Sequence, residues 1–220
     1  MLKNTSRPLV IAGAGGLGRE VACFMTDPIC SQLNWNLLGF ADDNKQGATI
    51  EGLPILGPIR CLFDLPSLPW VLVAIAHAHT RRRIFKELKE GNIPIATFVH
   101  PNSTISSCVH IGEGSIVCSG SILTTNVTLG NGCIINPGCF VGHDTVLGDW
   151  TSLMPHAKIA GEVTVGEGSY FGINSTVINR TSIGEWSVIG AGAAVTGDIP
   201  SFSLAVGVPA RVVKKFDINY

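Results

Sequence analysis

An unbroken six-residue repeat in the second half of the chain constrains the fold more than any other feature of the sequence. Every sixth residue from Val99 to Val195 is aliphatic or, at Phe171, aromatic, and the fifth position of each hexad is small or of medium size from Ser103 to Ala193. A period of six cannot mark one face of an α-helix, because the residues of a helical face recur with a period of about 3.6. In an extended chain, position five and the next position one point to the same side. The repeat therefore predicts short strands with two inward-facing ladders.

Glycine recurs at the second position of the hexads, directly after the aliphatic residue. It is present at Gly112, Gly130, Gly142, Gly148, Gly166, Gly172, Gly184 and Gly190. Because glycine tolerates backbone conformations that a Cβ resists, we expect these positions to form corners between strands. Short strands joined by repeated corners form a parallel β-solenoid, in which each coil is stabilised by its neighbours.

The first 95 residues have a different pattern, in which short apolar runs alternate with helical segments. Predicted strands at 9–12, 37–41 and 71–76 accompany predicted helices at 19–25 and 80–89. Gly13, Gly15 and Gly18 match the pattern G-x-G-x-x-G between the first strand and the first helix. In that context the backbone approaches a phosphate at the helix N-terminus. An acidic pair, Asp42 and Asp43, follows the second strand.

A dinucleotide-binding Rossmann domain is the first interpretation of this motif, and we reject it. The segment has about half the strands of a full dinucleotide fold. The residues that follow belong to the hexad array rather than to a domain that would hold a hydride acceptor. A phosphate site for another kind of nucleotide is the favoured interpretation, and a glycine loop with a packing role only is the alternative.

Composition and charge limit the partners and the cellular compartment that we expect for this chain. The 220 residues contain 15 Lys and Arg against 16 Asp and Glu, so no strong basic character favours nucleic acid. The longest apolar runs fall far short of the ~20 residues that span a bilayer, so we expect no membrane insertion. Seven cysteines without a C-x-x-C pair suit a reducing compartment, and we expect a cytoplasmic protein.

The two halves together resemble the hexapeptide-repeat sugar O-/N-acyltransferases. The resemblance rests on GAGGLGREVA, on the acidic pair, and on GHDTVLG, AKIAGEVTVG, FGINSTVI and GVPARVV in the array. The family includes sialic acid O-acetyltransferases and bacterial N-acetyltransferases for UDP-4-amino-6-deoxy sugars of the bacillosamine-pathway type. It implies a small N-terminal α/β Rossmann-like domain at 1–95, a left-handed parallel β-helix at 96–200, and a C-terminal tail at 201–220 that caps the helix.

The resemblance also implies where the chemistry lies. The general base would be His143, with Asp144 raising its basicity, although neighbours on a strand point opposite ways and need a corner to meet. Acetyl-CoA would lie between two solenoids of a homotrimer, without a metal. Its implied contacts are Ser152, Gly161, Ile173, Gly190 and Ala191, with Arg211, Lys214 and Lys215 near the adenosine phosphates.

The nucleotide sugar would bind the first domain. The implied contacts are Gly13, Gly15, Gly16, Leu17, Asp42, Asp43, Ala76 and His77, with Arg81 or Arg82 answering the diphosphate by charge-assisted hydrogen bonds.

The resulting prediction is an acetyl-CoA-dependent N-acetyltransferase that acts on the amino group of a nucleotide-linked amino-deoxy sugar for surface glycan biosynthesis. The glycine loop favours a nucleotide-linked acceptor over a free sugar, and an amine suits a single histidine base. A sialic acid O-acetyltransferase is the alternative enzyme, and a silent scaffold solenoid is the non-enzyme alternative. A β-helix carbonic anhydrase is disfavoured, because the coil histidines at 100, 110, 143 and 156 include no pair five residues apart.

Overall fold

The computed structural model describes residues 6–45, 47, 49–65 and 67–217. The chain divides into two compact units, Met1–Pro101 and Asn102–Tyr220. The division falls six residues beyond the predicted domain end at 95, and it leaves the predicted C-terminal tail within the second unit. The last three residues of that tail lie outside the described residues.

The first unit is a small α/β domain built on a mainly parallel sheet. In chain order its elements are β1 Arg7–Ala12, α1 Gly16–Thr26, a 3₁₀ helix Pro28–Leu33, β2 Trp35–Ala41, β3 Thr49–Ile50, β4 Leu53–Gly57, a 3₁₀ helix Ile59–Phe63, β5 Trp70–Val73, α2 Ala78–Glu90 and β6 Phe98–Val99. The sheet order is β3-β4-β2-β1-β5. Within it β1 runs parallel to β2 and β5, and only the short β3 is antiparallel.

Apolar runs explain why β1 lies inside this sheet, between β2 and β5. Residues 9–12 of β1 are fully buried, as a parallel strand covered on both faces requires. Helix α2 turns Ile84 and Leu88 towards the core, and both side chains are buried. The predicted third strand is shorter than expected, because β5 ends at Val73 and residues 74–76 form a loop. The carboxyl ends of β1, β2 and β5 thus meet at one edge, the usual place for a ligand in such sheets.

The second unit is a parallel β-helix, as the hexads predict, and it has the left-handed sense that the resemblance implies. Its strands are β7 Thr104–Ile105, β8 His110–Ile111, β9 Ile116–Val117, β10 Ile122–Leu123, β11 Thr128–Leu129, β12 Ile134–Ile135, β13 Phe140–Val141, β14 Val146–Leu147, β15 Ser152–Leu153, β16 Lys158–Ile159, β17 Thr164–Val165, β18 Tyr170–Phe171, β19 Thr176–Val177, β20 Ser182–Ile183, β21 Val188–Ile189, β22 Ala194–Val195, β23 Ser203–Gly207 and β24 Ala210–Lys215.

Each of the short strands pairs in parallel with the strand three hexads away, so three hexads make one coil. Val141 in β13, for example, lies opposite Leu123 and Ile159. Three flat faces result. We name them the first face (from β7 to β22), the second face (from β8 to β20) and the third face (from β9 to β21). At the C-terminal end β23 extends the third face, and β24 pairs with it antiparallel.

The predicted inward ladders are confirmed. Position one is buried in every hexad from Val117 to Val195, and position five is buried from Ser115 to Ile199. Buried hydroxyls at position five donate to main-chain carbonyls of the coil, with the exception of Ser175 Oγ, which has no hydrogen-bond partner among the described residues. Ser121 Oγ, for example, donates to Asn136 O at 3.0 Å.

The corner conformation lies at a different position from the one we expected. Left-handed φ angles of 52° to 74° recur at the fourth position of every hexad from Gly114 to Gly192, not at the second-position glycines. A Cβ added at Gly142 would come within 2.5 Å of Gly161 N in the next coil. Glycine at the second position is therefore required by the close approach of successive coils.

No helix among the described residues has the length and apolar character needed to cross a membrane.

The reactivity of two thiols should distinguish a buried position of the β-helix from an exposed one. Burial raises the pKa of the Cys139 thiol to about 12. Hydrogen bonds from Ser106 and then from the Asn126 N–H hold the pKa of the exposed Cys108 below its ordinary value. Because the thiolate is the reactive form, iodoacetamide should modify Cys108 at a lower pH than a free cysteine. Cys139 should react only after unfolding.

Peptide mass spectrometry across a pH series, with and without guanidinium, checks this prediction. Modification of Cys139 in the native protein at neutral pH would contradict the buried ladder.

Candidate active site

A cavity of about 420 Å³ opens at the carboxyl ends of β1, β2 and β5. Its lining includes seven of the predicted substrate contacts: Gly13, Gly15, Gly16, Leu17, Asp42, Asp43 and Ala76. These residues come from three separate parts of the sequence, and the parallel sheet brings them together. The volume lies within the range usual for small-molecule sites.

The glycine loop presents the N-terminus of α1 to this cavity. The helix begins at Gly16 after the N-cap Gly15, which has no side chain to cap the first N–H groups. No acidic residue lies in the first turn. A Cβ at Gly18 would collide with the carbonyl oxygen of Gly13, so glycine there permits close helix–strand packing. Such a helix N-terminus attracts a phosphate through its N–H groups and its dipole.

Asp42 and Asp43 lie at the cavity, and both use their carboxylates on the main chain. Asp42 Oδ2 accepts from Ala14 N at 2.7 Å, which ties the acidic residue to the glycine loop. Asp43 Oδ1 accepts from Ile59 N at 2.8 Å. Asp42 thus helps to hold the glycine loop in place, and both aspartates belong to the cavity lining.

The structure gives Arg81 a different role from the predicted diphosphate contact. Its side chain is fully buried, and Nη1 donates to Ile75 O at 2.7 Å and to Ala76 O at 2.8 Å. These carbonyls belong to the loop that borders the cavity. Arg82 is exposed and lies outside the cavity lining. Because successive helix residues point in directions roughly 100° apart, three consecutive arginines cannot share one environment.

His77 also has a local structural role. It is the N-cap of α2, and its Nδ1 accepts from Thr80 N at 3.4 Å and lies 3.0 Å from Thr80 Oγ1. The residue follows the cavity loop but does not belong to the lining of the cavity.

The sequence reasoning missed three polar residues of the cavity lining and one residue, Lys45, that binds the glycine loop. Asn44, Thr80 and Arg83 belong to the cavity lining. Lys45 Nζ donates to Ala14 O at 2.6 Å. The register of α2, beginning at Ala78, decides that Arg83 reaches the cavity, where its guanidinium also binds Glu87. The imidazole of His77 can cap a helix. Placing the N-cap of α2 at His77 would have given the register of the helix and so identified Arg83.

In the β-helix, His143 and Asp144 meet at the corner between the first and second faces. Asp144 has a left-handed φ of 58°, and this corner allows the neighbouring side chains to converge. His143 Nδ1 lies 2.8 Å from Asp144 Oδ2, and both side chains are about half exposed. Because a carboxylate only accepts, Nδ1 is the donor and the neutral ring carries its lone pair on Nε2.

The surroundings of this pair are polar and charged. Asn126 Nδ2 donates to Asp144 Oδ1 at 2.8 Å, and this hydrogen bond, followed by the one from His143, lowers the pKa of Asp144. One coil further on, Arg180 donates through Nε and Nη2 to Glu162 at 3.1 and 3.2 Å, which lowers the pKa of Glu162. Asp144 is therefore ionised at neutral pH and available to an imidazolium.

Gly161 provides the surface beneath the imidazole. A Cβ at this position would come within 2.5 Å of His143 Nε2, so the ring occupies the space that a side chain would fill. Gly161 thus lies against the imidazole of His143.

The remaining predicted acetyl-CoA contacts lie elsewhere on the coil. Ile173, Gly190 and Ala191 form the corner between the third and first faces, and Ser152 is buried in β15 on the third face. Arg211 is exposed in β24, and so are Lys214 and Lys215. A three-sided coil separates this corner from the His143 corner. One chain therefore does not bring the two groups of residues together.

A parallel α/β unit with a phosphate-type loop and a left-handed β-helix with a histidine–carboxylate corner define the class of hexapeptide-repeat acyltransferases. Comparisons with known proteins agree. Residues 8–88 match the family described as the PglD N-terminal domain.

Solved structures match almost the whole chain. The acetyltransferase domain of PglB from Neisseria gonorrhoeae FA1090, in complex with acetyl coenzyme A, is 29% identical with a TM-score of 0.88. The match covers 94% of this chain and 100% of that one. A mutant perosamine N-acetyltransferase from Caulobacter crescentus, in complex with CoA and GDP-perosamine, has the same identity and TM-score, and the match covers 94% and 97%.

A curated relative, GDP-perosamine N-acetyltransferase of Escherichia coli O157:H7, is 32% identical over 109 residues. That match spans about half of each protein (49%). Taken with the structures, it shows that the chain is similar to hexapeptide-repeat sugar N-acyltransferases.

The role of Arg81 can be tested through stability. Replacing Arg81 with alanine leaves the Ile75 and Ala76 carbonyls without their donor, so the free energy of unfolding should fall by about 3 kcal/mol. Arg82→Ala, on the exposed side of the same helix, is the matched control and should change it by less than ~0.5 kcal/mol. Urea unfolding measures both. Equal losses would contradict the structural role.

Proposed function

We propose that this protein is an acetyl-CoA-dependent N-acetyltransferase that acts on the amino group of a nucleotide-linked amino-deoxy sugar in surface glycan biosynthesis. The observation that carries the proposal is the His143–Asp144 pair at an exposed corner of the β-helix. The relatives support it: the Neisseria domain is in complex with acetyl coenzyme A, the Caulobacter enzyme is in complex with CoA and GDP-perosamine, and the Escherichia coli relative is a GDP-perosamine N-acetyltransferase.

In this mechanism the chain supplies a base and positions the amino group of the sugar, which is the acceptor. The amino nitrogen of the sugar attacks the thioester carbonyl carbon, and His143 Nε2 takes the proton that the nitrogen loses. Asp144 stabilises the imidazolium that forms. When the C–S bond breaks, the coenzyme A thiolate leaves and takes that proton from the imidazolium. The histidine is then neutral again and the acetyl group forms an amide.

The cavity of the first unit is proposed to hold the nucleotide. Its helix N-terminus suits the diphosphate, and Arg83 replaces Arg81 and Arg82 as the cation in our proposal, because it lines the cavity. Gly13, Gly15, Gly16, Leu17, Asp42, Asp43 and Ala76 remain proposed substrate contacts. Gly161, Ile173, Gly190, Ala191 and Arg211 remain proposed contacts for acetyl-CoA.

We further propose that the active form is a homotrimer in the cytoplasm. The residues assigned to acetyl-CoA lie on two corners of the coil, so a groove between two copies would combine them. Apolar side chains exposed on the outer faces, such as Val146 at 43%, support contact between copies. All seven cysteines are unpaired, which suits a reducing compartment.

Replacing the proposed base tests the mechanism. His143→Ala should lower turnover by about 10²–10⁴-fold with nucleotide-sugar binding largely kept, and Asp144→Asn should cost less. His110→Ala, which removes an exposed histidine of β8 on the second face, is the control and should keep activity. Release of free coenzyme A thiol measures turnover. Near-normal activity of His143→Ala would sink the mechanism.

A substrate panel tests the acceptor class. UDP-, GDP- and dTDP-linked amino sugars, CMP-sialic acid and free sialic acid should differ sharply in thiol release, with a nucleotide-linked amino sugar as the substrate. The glycine loop explains this preference, because a free sugar has no phosphate for the helix N-terminus. Acetylation of free sialic acid, without inhibition by nucleotide amino sugars, would replace the proposal with the O-acetyltransferase alternative.

Assembly is tested separately by light scattering. The expected mass is three times that of the 23.2 kDa chain. Activity should fall on dilution as the trimer dissociates, because each site needs two copies. An active monomer would contradict the shared groove.

A further inference from the structure

Four polar residues form a line along the corner that carries the proposed base. Asn126, Asp144, Glu162 and Arg180 are spaced by three hexads, so each lies one coil beyond the last, and we call them the corner ladder. All four have left-handed φ angles between 55° and 59°. This shared conformation projects their side chains from the same position of successive coils, where each can reach its neighbour.

Within the corner ladder, Asp144 is held on both carboxylate oxygens. Oδ1 accepts from Asn126 Nδ2 at 2.8 Å, and Oδ2 is 2.8 Å from His143 Nδ1. The Asp144 side chain is 51% exposed, so packing does not fix its rotamer. The amide of Asn126, one coil earlier, supplies the donor to Oδ1. This donor sets which oxygen of Asp144 faces the imidazole.

The other charged or titratable groups near His143 are engaged elsewhere. Both oxygens of Glu162 accept from Arg180, at 3.1 and 3.2 Å. The Cys108 thiol, on the far side of Asn126, accepts from the Asn126 main-chain N–H at 3.3 Å. Asp144 is thus the carboxylate that the structure places on His143 Nδ1.

We propose that Asn126 is a positioning residue for the transfer reaction: it holds the Asp144 carboxylate so that the imidazole of His143 keeps its proton on Nδ1 and its lone pair on Nε2. This inference rests on the proposed function of His143 as the base. Asn126 does not contact the reacting atoms in this scheme. It acts through Asp144, in the manner of the supporting groups that orient a catalytic histidine.

The test is Asn126→Ala, assayed by thiol release. kcat should fall about tenfold, equivalent to ~1.4 kcal/mol, with KM for the nucleotide sugar unchanged. The acid limb of the pH profile of kcat/KM should move to lower pH, because a misaligned Asp144 stabilises the imidazolium less well. A merely structural role would lower the amount of folded enzyme without moving the pH profile.

Asn174→Ala is the matched control. Asn174 occupies the same hexad position with a left-handed φ of 56°, on the corner between the third and first faces. Both variants remove an exposed asparagine from a left-handed corner, so similar melting temperatures are expected. Only Asn126→Ala should move the pH profile. If Asn126→Ala does not fold, Asn126→Gly tolerates the left-handed φ, loses the donor and adds no charge, and the same loss of kcat is expected.

A double-mutant cycle separates this inference from the proposed function. In an Asp144→Asn background, Asn126→Ala should lower kcat by less than about twofold, because the residue acts through Asp144. Additive losses, or an unchanged kcat and pH profile in Asn126→Ala, would overturn the positioning role. If His143→Ala, measured in parallel, stays active, the proposed function itself fails. If it is inactive while Asn126→Ala behaves as wild type, only the positioning role fails.

Discussion

The register of three hexads between coils is the constraint on which the second unit depends. Because each strand pairs with the strands three hexads before and after it, whatever occupies one hexad position is repeated along a line parallel to the axis. Inside, this register stacks aliphatic residues on aliphatic residues and small residues on small residues. Outside, it stacks polar corners. The same hydrogen bonds that stabilise the coil thus also place Asn126 beside Asp144 and Glu162 beside Arg180.

The left-handed residue at each corner gives the site its chemistry. On an extended strand, His143 and Asp144 would point to opposite sides. A φ of 58° at Asp144 turns the chain so that the two side chains meet at 2.8 Å. Positions three and four of this hexad both lie outside the buried ladders. Polar side chains can therefore occupy these two positions without disturbing the core, because the buried residues at positions one and five stay the same.

The sequence predicted the repeats and the glycine-loop cavity well, because both depend on period and local chemistry. The strands at each position one lie where the hexads predicted, and the glycine loop lines a cavity as the motif indicated. The register of helix α2 was harder to predict from the sequence. Arg81 and Arg83 are two residues apart, and only the start of α2 at Ala78 decides that one is buried and the other lines the cavity. The role of Gly142 was also misread, since coil-to-coil distance cannot be inferred from one hexad.

In our proposal, the separation of the two corners links catalysis to assembly. His143 and Gly161 lie between the first and second faces, whereas Ile173 and Ala191 lie between the third and first. A triangular coil cannot fold one corner onto another without breaking the strand pairs that stabilise it. Joining both groups around one acetyl-CoA therefore requires a second copy of the chain. The same strand pairs that fix the position of His143 keep the two corners apart. In our proposal, a single chain therefore carries only part of each site.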